Sequence, residues 1–218
     1  MRRRCAAWAL AVLPLLSGCD FSFSLSIVSD DFDFPPPLAA TVASDPATDG
    51  DVREDGAVET AAVILAGTDP LAPPPAPEYR GFLSFSLAGI PVGAWIESAA
   101  LTVTVDRVDL SGPGLVLSFD RVRYGDVLSS SAFGAPGLPV GSVPAGVRLF
   151  PAVSPQFVTF DVVPELQAEV DDPAARFFQL RARGAGGLAH LVDGAGNRAG
   201  GLPPDRSLVP VLSIVYRP

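Results

Sequence analysis

Residues 79–105, YRGFLSFSLAGIPVGAWIESAALTVTV, carry the clearest structural signal in the chain. Leu83, Phe85 and Leu87 alternate with Ser84 and Ser86, a period of two that lines three large apolar groups along one face of a strand. Ala99, Leu101, Val103 and Val105 alternate in the same way with Ser98, Thr102 and Thr104, and Ala100 blurs the polar face only slightly. Between the two runs, AGIPVGA interrupts either regular period with Gly89, Pro91 and Gly93. The stretch predicts a pair of strands joined by a short Gly/Pro connection.

Downstream the same grammar repeats. Leu115, Leu117 and Phe119 follow the turn Ser111-Gly112-Pro113-Gly114, and Val158, Phe160 and Val162 form one face of a further strand. Pro164 is well placed to open a short helix, PELQAEV, with Val163, Leu166 and Val170 on the side that packs onto the sheet. Phe178, Leu180 and Ala182 give another strand, with Gln179, Arg181 and Arg183 expected to face out. Leu208 to Tyr216 is apolar on both faces and reads as a central closing strand. Ser129 to Pro144 and the Gly-rich AGGLAHLVDGAGNRAGG read as loops. Upstream, Val58 to Ala66 is β-branched enough for a strand, ended by the Pro-rich loop Thr68 to Glu78. Eight or so short strands and one small helix argue an all-β protein, an antiparallel β-sandwich of jelly-roll type.

Composition agrees. Apolar residues make up 48% of 218, enough for a core, and 21 Gly with 23 Pro favour many turns over long helices. The net charge of −9 is wrong for a nucleic-acid partner, whose phosphates a binder must neutralise. All 15 basic residues are Arg, which excludes Schiff-base lysine chemistry and a P-loop lysine. A single His and two Cys exclude the usual zinc sites.

The N-terminus, MRRRCAAWALAVLPLLSGC, joins a basic head (Arg2, Arg3, Arg4) to an apolar run from Ala6 to Leu16. That run is shorter than the about 20 residues a membrane span needs, and it suits a signal peptide. Leu16-Ser17-Gly18-Cys19 resembles the lipobox of bacterial lipoproteins. The resemblance implies a signal peptide over 1–18, acylation of Cys19, and a cell-envelope location, periplasmic or surface-exposed, on a lipid anchor. Loss of the three arginines takes the net charge from −9 to −12. Residues 19–39 then form an acidic, Pro-rich tether, and 40–218 form the domain.

In order along that domain, YRGFLSFSLAGIPVGAWIESAALTVTV, VTFDVVPELQAEV, FFQLRAR and LVPVLSIVY resemble the DNRLRE-type module, a jelly-roll domain grouped with carbohydrate-binding modules. Two departures stand out: Val163 replaces the family's usual helix-capping Thr, with Asp161 available as a substitute, and Trp95 replaces a small or polar residue. The resemblance implies a non-catalytic binding or structural role, with a glycan or an envelope protein as partner.

Candidate sites follow from side-chain chemistry. Trp95, the only Trp left after signal removal, suits stacking on a sugar ring, and Tyr79 and Tyr124 are candidates to extend that platform. Asp45, Asp49, Asp51 and Asp55 are spaced closely enough to share a structural calcium ion, although an Asp/Gly-rich solvated turn is the simpler reading. Asp193 and Asn197 would join that site if the loops converge. Arg80 is expected to pair with a carboxylate, and His190 has no positioned nucleophile beside it. Glu97, Asp106, Asp120 and Asp161 supply the material for the alternative of a glycoside hydrolase or polysaccharide lyase. A purely structural envelope component is the third alternative.

Overall fold

A computed structural model of the chain describes residues 35–60, 63–152, 155–193 and 208–218. The stretch read as a signal peptide, Cys19, the stretch read as a tether up to residue 34, and Asn197 lie outside the described residues. Residues 34–218 form one compact unit, and the following concerns that unit alone.

In chain order the strands are β1 (Leu38–Ala43), β2 (Gly50–Arg53), β3 (Val58–Glu59), β4 (Val63–Thr68), β5 (Glu78–Ser86), β6 (Trp95–Leu110) and β7 (Leu115–Val122). A 3-10 turn at Ser130–Gly134 precedes β8 (Gly137–Pro139), β9 (Val147–Leu149) and β10 (Gln156–Asp161). Helix α1 (Val163–Val170) leads to β11 (Phe177–Ala185), β12 (Gly187–Val192) and β13 (Val211–Arg217). All recorded strand pairings are antiparallel, and the fold is a β-sandwich.

Its continuous sheet runs β1-β13-β6-β12-β4-β5-β11-β7-β8. Strand β6, 16 residues long, belongs to both layers. Residues 95–102 pair with β13, residues 105–110 pair with β12 on the same edge, and β10 runs along the opposite edge at 100–105. One layer is β1-β13-β6-β10 and the other β12-β4-β5-β11-β7. Phe119 of β7 meets Phe160 of β10 between them, ring centroids 4.7 Å apart. Leu83, Phe85, Leu101, Val103, Leu117, Leu166, Phe178 and Leu180 are buried around that contact.

The alternating runs at 83–87 and 99–105 are strands with the expected faces inward, but the two do not pair with each other. β5 pairs with β2, β4 and β11, whereas β6 pairs with β10, β12 and β13. The connection 87–94 therefore crosses from layer to layer. Apolar faces separated by eight residues bury each other better across a core than side by side in one sheet. β13 lies between β1 and β6, but it buries one face only: Leu212, Ile214 and Tyr216 point inward, while Ser213 on the other face is exposed.

Several loops expected from the sequence are structure. Gly187–Val192 is a wholly buried strand. Two glycines admit it: Gly67 and Gly187 have φ of 120° and 153°, and a Cβ on Gly67 would lie 2.1 Å from the Gly187 carbonyl oxygen. β1 begins at Leu38, inside the stretch read as tether. The segment read as the loop 129–144 holds the 3-10 turn and β8, and buries Ala132 and Val140. Residues 50–59 form the small hairpin β2–β3.

These additions cover the outer face of the β5-β11-β7 layer. Val52, Phe82, Val122, Leu128 and Ala132 make a second, smaller core there, flanked by Tyr124 and Phe133. Phe82 and Tyr124 meet edge to face at 5.3 Å.

Candidate functional site

The overlying segments convert an expected solvent face into a buried polar layer. Gln179 and Arg181, which the strand period points outward, are 3% and 7% exposed, and only Arg183 keeps its expected exposure. Gln179 Oε1 accepts from the Tyr124 and Gly125 amides at 2.9 and 3.3 Å, and its Nε2 donates to the Gly125 carbonyl at 2.6 Å. Arg181 donates Nε and Nη2 to Asp120 Oδ2 at 3.1 and 2.8 Å and Nη1 to the Ala135 carbonyl at 2.7 Å. Arg183 adds a bond to Asp120 Oδ1 at 2.9 Å. A buried carboxylate between two guanidiniums needs this full set of bonds, because desolvation of an unpaired charge is costly.

A second charged cluster surrounds α1. Asp161 Oδ1 accepts from the Val163 amide at 2.8 Å, so Asp161 caps the start of the helix where Val162 and Val163 have no suitable side chain. Leu166 and Val170 are buried on the core side, with Val163 partly covered. Glu169, also buried, accepts Nε and Nη2 of Arg123 at 2.9 and 2.5 Å on Oε2, and Arg121 Nη1 lies 3.5 Å from Oε1. Arg123 Nη1 reaches Asp172 at 2.7 Å, and backbone and arginine donors hold that carboxyl below its ordinary range. Arg176 pairs with Asp126 nearby. Two open clefts flank Glu169: one of about 290 Å³ bordered by Arg121, Arg123 and Leu138, and one of about 410 Å³ bordered by Ile90, Arg176 and Phe177. This groove was not singled out in the sequence, because its residues come from β7, α1 and β11 and share no local motif.

The three aromatic candidates occupy three places. Trp95, 65% exposed, lies at the start of β6 beside Pro35, Glu97 and Arg217. Tyr79 sits near the start of β5, in register with Gly67 and Arg53. Tyr124 packs on Phe82 and donates its hydroxyl to the Thr48 carbonyl at 3.2 Å; burial first, then Asp49, pushes its pKa upward. A shared stacking platform is not formed.

The four aspartates are also distributed. Asp45 Oδ1 accepts from the Ala47 amide, Asp51 Oδ2 from the Leu65 amide, and Asp55 forms an exposed pair with Arg53. Asp49 and Asp51 are buried, unlike the solvated turn expected of this segment. Asp49 Oδ1 accepts from the Ser84 amide at 2.7 Å, while Oδ2 makes no hydrogen bond of normal geometry; nor does the neighbouring Ser44 Oγ. Burial, with Asp45 and Asp193 adding repulsion, lifts the Asp49 pKa to about 8. Asp193 thus comes near Asp49, as loop convergence would require. Yet no group of three or more His, Cys, Asp or Glu among the described residues is placed to hold a metal, so the four-aspartate set does not form a calcium cage.

The remaining ionisable residues are similarly tied. Arg80 pairs with Glu78 at 2.9 Å and stacks over Phe133, 3.9 Å from the ring centroid. His190 Nε2 lies 2.8 Å from Asp109 Oδ2, and burial lowers its pKa against the pull of Asp109. Glu97 pairs with Arg217, and Asp120 and Asp161 are engaged as above. No protein-family model matches the chain, and no curated protein matches it in sequence.

Proposed function

We propose that the chain is a lipid-anchored lipoprotein of the bacterial cell envelope whose β-sandwich acts as a non-catalytic binding or structural module. One observation favours binding over bond cleavage. The four carboxylates that the sequence offered for a hydrolytic pair are held at separate places: Glu97 on Arg217, Asp120 between Arg181 and Arg183, Asp161 at the start of α1, and Asp106 on β6, while Glu169 and Asp172 at the clefts are both tied to Arg123. Two-carboxylate glycoside hydrolysis needs an acid and a base or nucleophile facing one bond. The likeness of the N-terminus to a lipobox supports the anchor.

Carbohydrate is the ligand class the module resemblance suggests. The two clefts beside Glu169 suit it chemically: Arg121 and Arg123 in one and Arg176 in the other supply planar hydrogen-bond donors, and Leu138 and Phe177 respectively supply apolar surface for ring faces. Glycan arrays probed with the acylated chain in detergent micelles test this reading. Retention of an intact glycan, weakened about tenfold or more by Arg123→Ala, is expected. Release of cleaved sugar would favour a hydrolase or lyase, and no retention on any array would favour a purely structural component.

A further inference from the structure

The proposed anchor makes the end of the sandwich that carries Trp95 a surface of particular interest. The indole is 65% exposed, although an aromatic of that size normally buries most of its area. It is not alone. Val92, 63% exposed, is in the turn closed by the Ala94 amide on the Pro91 carbonyl, directly before Trp95. Leu38, by contrast, is in register with the buried Tyr216 and Ile96, on the core-side face of its layer, whereas Trp95 pairs with Arg217 on the other face. Val92 and Trp95 are thus the exposed large apolar side chains next to each other at this end of β6. An open cavity of about 540 Å³ lies there between Pro35, Gly93, Trp95, Glu97, Arg217 and Pro218.

The described chain enters the body at this end. The Pro35 carbonyl accepts a hydrogen bond of 3.0 Å from Arg217 Nη1, and Arg217 also pairs with Glu97. Fifteen residues, Asp20 to Phe34, separate Cys19 from Pro35. A chain of that length reaches about 50 Å at full stretch and about 20 Å as a random coil. A body of about 180 residues is itself about 40 Å across. Presenting the far end to the bilayer would require nearly full extension around the body, at a large entropic cost; presenting the Pro35 end requires none.

Among the described residues, the ionised side chains that border this cavity are Glu97 and Arg217, and they are paired with each other.

We infer that Trp95, with Val92 beside it, is a membrane-contact surface that rests in the headgroup layer of the phospholipid bilayer holding the anchor. The indole suits that layer because its ring is apolar and its N–H needs a polar partner. The inference rests on the proposed acylation of Cys19, and it gives Trp95 to lipid rather than to a sugar.

Trp95 is its own probe, since Trp8 leaves with the signal peptide. The full acylated chain is reconstituted into phosphatidylethanolamine/phosphatidylglycerol vesicles with ordinary or dibrominated acyl chains, and Cys19 is checked by mass spectrometry on the same sample. Tryptophan emission is expected to fall about twofold or more in the brominated vesicles. The double variant Trp95→Phe, Leu71→Trp moves the indole to an exposed loop before β5, at the other end of that strand, and is expected to lose the quenching. Acylated protein without quenching of Trp95 overturns the inference while leaving the anchor standing. Equal quenching of the two proteins overturns it too, because no end would then be preferred. Protein lacking acyl groups at Cys19 overturns both readings, and the mass spectrum distinguishes that case.

Discussion

Asp49 shows what a covering segment does to a single side chain. Its carboxyl has one oxygen bonded to the Ser84 amide and one buried oxygen with only the Ser44 hydroxyl beside it, and burial lifts its pKa to about 8 against an ordinary 3.8. An acid raised in the folded state contributes stability that is complete below about pH 4 and is lost as the pH rises to about 8. Asp49→Asn mimics the protonated form and removes this dependence. Urea melts are expected to give similar stabilities near pH 4 and a more stable variant at pH 8; parallel curves would contradict the assignment. Because the four aspartates are not gathered, calcium is expected to leave the melting temperature unchanged. A calcium-dependent rise abolished by Asp49→Asn would instead place an ion at Asp49. His190 works in the opposite direction: its lowered pKa means that stability is lost as the pH falls below about 6.5 and the buried ring is forced to charge.

Helix α1 shows how much of an element can be read locally. Pro164, the apolar stripe of Leu166 and Val170, and Asp161 as the substitute cap are all recognisable in eight to ten residues of sequence, because each acts on its near neighbours. Asp161→Ala is expected to cost about 1 kcal/mol in urea unfolding. Strand β12 was not recognisable. Its Leu188, Leu191 and Val192 sit among glycines that resemble a flexible loop, and Gly187, with Gly67 of β4, lets β12 lie close against β4 and β6. Partnering escaped the sequence for a related reason: alternation tells which face of β5 and β6 is apolar, but not whether those faces lie in one layer or oppose each other across a core. The burial of Gln179 and Arg181 depends on the hairpin β2–β3 and the 3-10 turn, far away in sequence. The groove at Glu169 was hidden for that reason as well, whereas the place of Trp95 at the entrance to a strand and the pairing of Arg80 with a carboxylate were legible.

For the whole molecule, β6 is the member that joins the layers, and Phe119 against Phe160 is the contact between them. Phe119→Ala is expected to destabilise the sandwich by about 3–5 kcal/mol in denaturant unfolding, with both layers lost in one transition. Two transitions would mean that the layers hold independently. The body is an acidic module, and the proposed role depends on how the cell holds it. The most direct measurement is mass spectrometry of the N-terminal peptide recovered from membranes of cells that express the chain. The account predicts a chain that starts at Cys19 and carries a diacylglyceryl group. An unmodified chain still beginning at Met1, found in the soluble fraction, would contradict it.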